Sequence, residues 1–209
     1  MVMRVKQVDQ SHYDFGRYMS KQRWMSVWHQ VDEMLKVRPT SILEVGHGSG
    51  AFKAIAAQFG LPVQTVDLDP DLRPDYVADA EDLPFEDSSF DVVCAFQMLE
   101  HLPYEAALSA FSEMIRVSAK NVVISLPDAK RIYRFAIQIP KLGELSFFYP
   151  RPRIGLQRHQ FDGEHYWEIN KSGYSLTRVL SDLSRRANLV KTFRVRENTY
   201  HRFFVFAKN

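Results

Sequence analysis

The chain has 209 residues, 45% of them hydrophobic and 25% charged, with a net charge of +2. That length suits one core with a modest addition and falls short of two ordinary domains, so a single domain over 1–209 is expected. The composition excludes a disordered or collagen-like chain, and no run of about 18 apolar residues offers a membrane-spanning helix. Residues 1–7 carry no apolar stretch behind their positive charges, which argues against a secretory leader. The lone Cys94 sits in the apolar run Val92-Val93-Cys94-Ala95-Phe96, so a buried thiol in a reducing cytoplasm is expected.

In chain order, Trp24, Val27, Trp28, Val31, Met34 and Leu35 recur at helical spacing, with Ser20 as cap and Pro39 as stop. This predicts an amphipathic helix whose Trp28 packs on the following sheet. Tyr13, Tyr18, Arg23 and Trp24 could fold over a ligand, making 1–39 a helical lid. Residues 41–45 read as a strand, 51–59 as a helix closed by Gly60, and 63–67 as a second strand. Pro70 and Pro74 then interrupt any helical period before a short strand at 76–78. Residues 90–96 are a continuous apolar run of the kind buried on both faces of a parallel sheet. Pro103 can open a helix with Leu108, Phe111 and Ile115 as its buried stripe, and 121–126 is the next strand. Strands alternating with helices predict a mostly parallel α/β sheet.

Residues 128–170 break this rhythm and read as an insertion over the sheet edge. Their apolar side chains (Ile132, Tyr133, Phe135, Ile137, Ile139, Phe147, Phe148) could make a greasy substrate pocket, a docked helix or a dimer contact. Ser175 caps a helix carrying Leu176, Val179, Leu180 and Leu183. The strands at 189–195 and 202–207 are linked too tightly for a crossover, so they must form an antiparallel hairpin.

Charge is uneven. From Asp67 to Asp91 ten residues are acidic and only Arg73 is basic, an edge that nucleic acid would avoid. From 128 to 160, Lys130, Arg131, Arg134, Lys141, Arg151, Arg153 and Arg158 face only Asp128 and Glu144, which leaves RNA open there.

The densest chemical signal is Glu44-Val45-Gly46-His47-Gly48-Ser49-Gly50, between a strand and a helix. Glycines here permit a sharp bend and close backbone approach to a ligand. The turn also fits a loose dinucleotide fingerprint, with Asp67 where a ribose-binding acid would fall, so a nicotinamide-dependent oxidoreductase is one reading. Glu44 opposes it, because a carboxylate there would repel a pyrophosphate and suits a cofactor bearing ammonium or sulfonium charge.

With Asp79-Ala80, Leu83-Pro84-Phe85, Phe90-Asp91 and Glu100-His101-Leu102 added, the chain resembles the class I S-adenosylmethionine-dependent methyltransferases, of the group that includes the ubiquinone and menaquinone biosynthesis enzymes. The resemblance covers roughly 40–127, the cofactor-binding half, and leaves 128–170 as a substrate-side insertion and 171–209 as the final helix and hairpin. It implies a Rossmann-like, doubly wound sheet. It also implies that backbone at Gly46, His47, Gly48 and Gly50 packs on the methionine part and that Glu44 engages the cofactor amino group. Asp67 would take both ribose hydroxyls, Leu68 would line the adenine, and Asp79 and Ala80 would bond it. Phe96, Gln97 and Met98 would floor the site near the transferable methyl. The short Asp67–Asp79 interval implies that the intervening helix is lost or reduced to one turn.

Catalysis would rest on in-line positioning of a small or medium-sized acceptor, probed first at oxygen, and on removal of its proton. His101 and His165 are the candidate bases, the latter within Gly163-Glu164-His165-Tyr166-Trp167-Glu168-Ile169. His159, Asp162 and His165 match no zinc spacing, so no metal is expected. The remaining readings are a non-catalytic cofactor- or partner-binding domain, and a homo-oligomer is left open.

Overall fold

A computed structural model describes residues 10–152, 155 and 157–208; the leader reading at 1–7 and Arg153 lie outside the described residues. The elements in order are α1 (Phe15–Tyr18), α2 (Lys21–Val37), β1 (Ile42–Val45), α3 (Ala51–Gln58), β2 (Val63–Asp67), β3 (Tyr76–Val77), β4 (Phe90–Phe96), α4 (Tyr104–Val117), β5 (Ser118–Pro127), β6 (Ile132–Ile139), β7 (Gly143–Pro150), α5 (Leu176–Ser184), β8 (Asn188–Arg194) and β9 (His201–Ala207). Seven strands make one sheet in the order β3-β2-β1-β4-β5-β9-β8. The first five run parallel, and β9 is antiparallel to both β5 and β8. No described helix is long and apolar enough to cross a membrane.

The central strands are apolar on both faces because helices cover both. On one side Val93, Val122, Ile124, Phe204 and Phe206 meet Ala107, Phe111 and Met114 of α4; on the other Ile42, Val92, Val123 and Phe203 meet Val31 and Met34 of α2 and Phe52 of α3. Cys94 is fully buried in the second of these layers.

The lost helix between β2 and β3 is replaced by a single 3-10 turn at Pro70–Leu72. Asp75 holds that link in place, accepting from the Thr65 amide at 2.7 Å and from Lys53 Nζ at 2.5 Å. Helix α2 begins as expected, with Ser20 Oγ accepting from the Arg23 amide at 3.1 Å. Its buried face differs from the expected one. Trp24 and Trp28 are about half exposed, and Val27, Val31 and Met34 share the inner face with Gln30 and Glu33. The buried Glu33 on that face is paired with Lys191 of β8 at 2.6 Å and with Lys36 at 3.0 Å, and the half-exposed tryptophans lie on another side of the helix. Trp28 therefore does not pack on the sheet.

The insertion is also corrected. Residues 132–150 form a β-hairpin and not a docked helix. Its root is held by Asp128, a buried carboxylate paired with Arg194 of β8 and Arg202 of β9, and accepting from Asn170 Nδ2 at 2.7 Å. Removing one partner of a buried ion pair strands the other charges without water. Asp128→Ala is expected to lower unfolding free energy by about 3–5 kcal/mol in urea titration.

Candidate functional site

The parallel register brings the carboxyl ends of β1, β2 and β4 to one edge, where open α/β sheets bind ligands. A cavity of about 850 Å³ opens there, lined among others by Gly46, Gly48, Asp67, Leu68, Asp79, Ala80, Phe96, Gln97 and Met98. That volume is in the range of small-molecule and cofactor sites.

The turn after β1 is shaped by steric limits and by one carboxylate. Gly46 has φ +86, and a Cβ there would lie 2.5 Å from Met98 Cγ. Gly50 has φ +70, and a Cβ there would lie 2.9 Å from His47 Nε2, so the His47 ring occupies the space its absent side chain leaves. Asp67 Oδ2 accepts from the His47 amide at 2.8 Å, and Oδ1 from the Asp69 amide at 3.0 Å. Both oxygens retain acceptor capacity toward the cavity. Gln97 adopts φ +54 at the end of β4, held by its amide donating to Ser125 O at 3.0 Å.

Glu44 is buried beneath the turn, and its Oε2 has no hydrogen-bond partner. Burial, then the Asp67 charge, raises its pKa well above the usual carboxylate range. Among the expected cofactor residues, Glu44, His47 and Gly50 lie behind the cavity wall, whereas the others line it.

The N-terminal segment forms the opposite wall. His12, Tyr13, Tyr18 and Arg23 line the cavity; the Tyr13 ring lies beside Gly48, and the Arg23 guanidinium stacks 4.0 Å over the Tyr18 ring. Trp24 takes no part in the lining.

A cluster of acids and imidazoles closes one end. Trp167 is buried, and its Nε1 donates to Leu102 O at 3.1 Å, which draws 164–169 against the loop after β4. His101 and His165 then meet with ring centroids 5.0 Å apart. Asp162 Oδ1 accepts from the His165 amide at 2.8 Å, His165 Nδ1 lies 3.3 Å from Glu168 Oε1, and the Tyr200 hydroxyl donates to that oxygen at 2.7 Å. His101 Nδ1 is 3.1 Å from Glu164 O.

These surroundings split the two imidazoles. Burial, then the His165 charge, lowers the His101 pKa to about 4. Burial also depresses His165, but the Glu168 bond and the Glu100 and Asp162 charges outweigh it and raise the net value. Glu100 is fully buried with neither carboxylate oxygen hydrogen-bonded, and burial raises it to about 7. Glu100, His101 and His165 each offer a ligand atom within 4.8 Å of the others, as do Asp162, His165 and Glu168, so the geometry could hold a metal that the spacing did not suggest. His159 instead places Nε2 2.8 Å from His165 O.

Among described residues, the apolar side chains of 132–150 line none of this cavity, which removes the greasy-pocket expectation for the insertion. The insertion contributes Glu164, His165 and Tyr166. Tyr200 was missed. Its signal is positional, because a residue just before an antiparallel strand emerges at the edge where parallel strands end.

The Glu100 surroundings make stability depend on pH in a stated direction. A carboxyl with a raised folded pKa favours folding while protonated and loses that contribution as pH rises from its ordinary range through about 7. The melting temperature of Glu100→Gln is expected to gain on the parent across that window, measured by paired thermal melts.

Residues 43–126 match the methyltransferase domain family. An uncharacterized protein of Haemophilus influenzae is 34% identical over 104 residues, covering 42% of this chain and 41% of that one. A ubiquinone biosynthesis O-methyltransferase of Xanthomonas euvesicatoria is 28% identical over 123 residues, covering 51% and 52%. The chain thus spans about half or less of the length of the curated relatives it matches. The crystal structure of the Burkholderia thailandensis 1,6-didemethyltoxoflavin-N1-methyltransferase, with 1,6-didemethyltoxoflavin and S-adenosylhomocysteine bound, superposes with TM-score 0.63 at 15% identity, covering 95% of this chain and 84% of that one. Over residues 43–126 the sequence is thus similar to the methyltransferase domain family, and over nearly its whole length the chain shares the fold of that solved methyltransferase structure.

Proposed function

We propose that the chain binds S-adenosylmethionine in the cavity at the ends of β1, β2 and β4 and transfers its methyl group to a small or medium-sized acceptor, at oxygen. The observation that carries this reading is the joint lining of one cavity by Gly46, Gly48, Asp67, Asp79 and Ala80 with His101 and His165 at its end.

The residues present fit the cofactor. Asp67 is an acceptor-only group suited to two ribose hydroxyls, and Leu68, Asp79 and Ala80 follow on the side where adenine would lie. Burial disfavours the charged form of Glu44 behind the turn, and an ammonium or sulfonium charge bound in front of it would favour that charged form, which suits such a cofactor. The group supplies an electrophilic sulfonium methyl when bound. The protein's own share is to orient the acceptor, exclude water and take its proton.

His165 is the better-placed proton acceptor of the two histidines. Glu168 orients its ring and stabilises the imidazolium that forms, in a pair held by the Tyr200 hydroxyl. His101, whose low pKa keeps it neutral, positions His165 by edge-to-face contact and remains a weaker base.

Calorimetric titration should give binding of S-adenosylmethionine and S-adenosylhomocysteine and none of NADH; the reverse would make the chain an oxidoreductase. Asp67→Ala is expected to weaken S-adenosylhomocysteine binding about ten- to hundredfold, the loss of charge-assisted hydrogen bonds. His165→Gln should lower kcat on the true acceptor by about 10²–10⁴ with cofactor affinity unchanged. In the parent, kcat should rise with pH as His165 loses its proton, with the limb above the ordinary imidazole value of about 6.5; an unshifted limb in a Glu168→Gln variant would remove the dyad.

A further inference from the structure

The hairpin of β6 and β7 lies outside the main sheet as a separate two-stranded ribbon, and none of its residues is buried. Its register sets Tyr133 opposite Tyr149, Phe135 opposite Phe147 and Ile137 opposite Leu145. Side chains two apart on a strand share a face, so these six form one continuous apolar face. They are 46–59% exposed, and Leu142 at the turn is 83% exposed. A lone two-stranded hairpin is marginal in water, and an apolar face of this kind marks a surface that something covers.

Charge distinguishes the occupants. Between 130 and 151 the chain has five basic residues and one acid, Glu144, whose carboxylate is taken by Arg134 at 2.5 Å. Lys130, Arg131, Lys141 and Arg151 are all exposed at the hairpin's root and tip. A two-fold contact between copies would bring two copies of this basic cluster together, root and tip being basic alike. An anionic lipid surface meets them with opposite charge, and aromatic side chains on an extended ribbon suit the headgroup layer, where amphipathic rings concentrate.

We propose that the β6–β7 hairpin docks the chain on an anionic lipid surface, with the six-residue apolar face and Leu142 entering the headgroup layer and the four free-standing cations facing lipid phosphates. The docking is independent of the methyl-transfer reading.

The test is sedimentation of the full chain with vesicles of phosphatidylcholine alone or with added phosphatidylglycerol. The chain should co-sediment with the anionic vesicles, weakly with the neutral ones, and be released by salt. Phe135→Ser with Phe147→Ser should lower the bound fraction constant by about tenfold or more, and Lys141→Glu with Arg151→Glu should abolish the preference for anionic vesicles. Unchanged circular dichroism melts of both variants keep a folding defect apart from a docking defect. Absence of binding to anionic vesicles at low salt, or equal binding by the Phe135/Phe147 variant, overturns the proposal. A dimer in light scattering that the Phe135/Phe147 variant dissolves, without vesicle binding by the parent, assigns the face to a second copy instead.

Discussion

The carboxylate of Asp67 is the constraint on which the rest of the site depends. A turn with three positive-φ glycines has little intrinsic stiffness, and its amides must find acceptors away from water. Asp67 supplies one at the end of the neighbouring strand, and its second oxygen fixes the chain beyond β2 through the Asp69 amide. Two loops from separate strands are thereby set by a single charged group. The same side chain lines the cavity, so the group that shapes the turn also faces the open space in front of it.

The far end of the cavity follows a different principle. There the irregular segment 162–169 is ordered by anchors pointing away from the ligand space: Trp167 into the core, Asp162 onto two backbone amides, and the Tyr166 amide onto Glu100 O at 2.9 Å. His165 is left at the surface of the cavity with its orientation determined from behind. The neighbouring imidazole at 101 is more deeply buried, and burial leads its downward shift, whereas the Glu168 bond and the Glu100 and Asp162 charges raise His165, so their proton affinities separate.

Much of this was legible in the sequence. Strands β2 and β4 have the bounds their apolar runs imply, and two prolines correctly signalled the missing helix between β2 and β3. The aromatic insertion was harder to read. Its alternation of Tyr133, Phe135 and Ile137 is a strand pattern, but strand patterns normally announce a buried face, and here the face is half-exposed. The tryptophans of α2 misled for a related reason. Helical period gives a stripe, whereas the buried face of α2 also takes in Glu33, which meets Lys191, 158 residues further on, in a contact that no local pattern contains. Metal-compatible geometry around Glu100 escaped for the same cause, since its partners meet only through tertiary packing.

The antiparallel strand β9 has a consequence for how the protein comes into being. It lies between β5 and β8, and its reversed direction carries Tyr200 to the cavity, where the hydroxyl steadies Glu168. β1, β4 and β5 precede it in the sequence, and the strand that completes the sheet follows the residue whose hydroxyl bonds the carboxylate beside His165. The last strand in the sequence therefore completes both the sheet and one wall of the cavity, and a nascent chain halted before Tyr200 has the glycine turn and Asp67 without the hydroxyl that bonds Glu168.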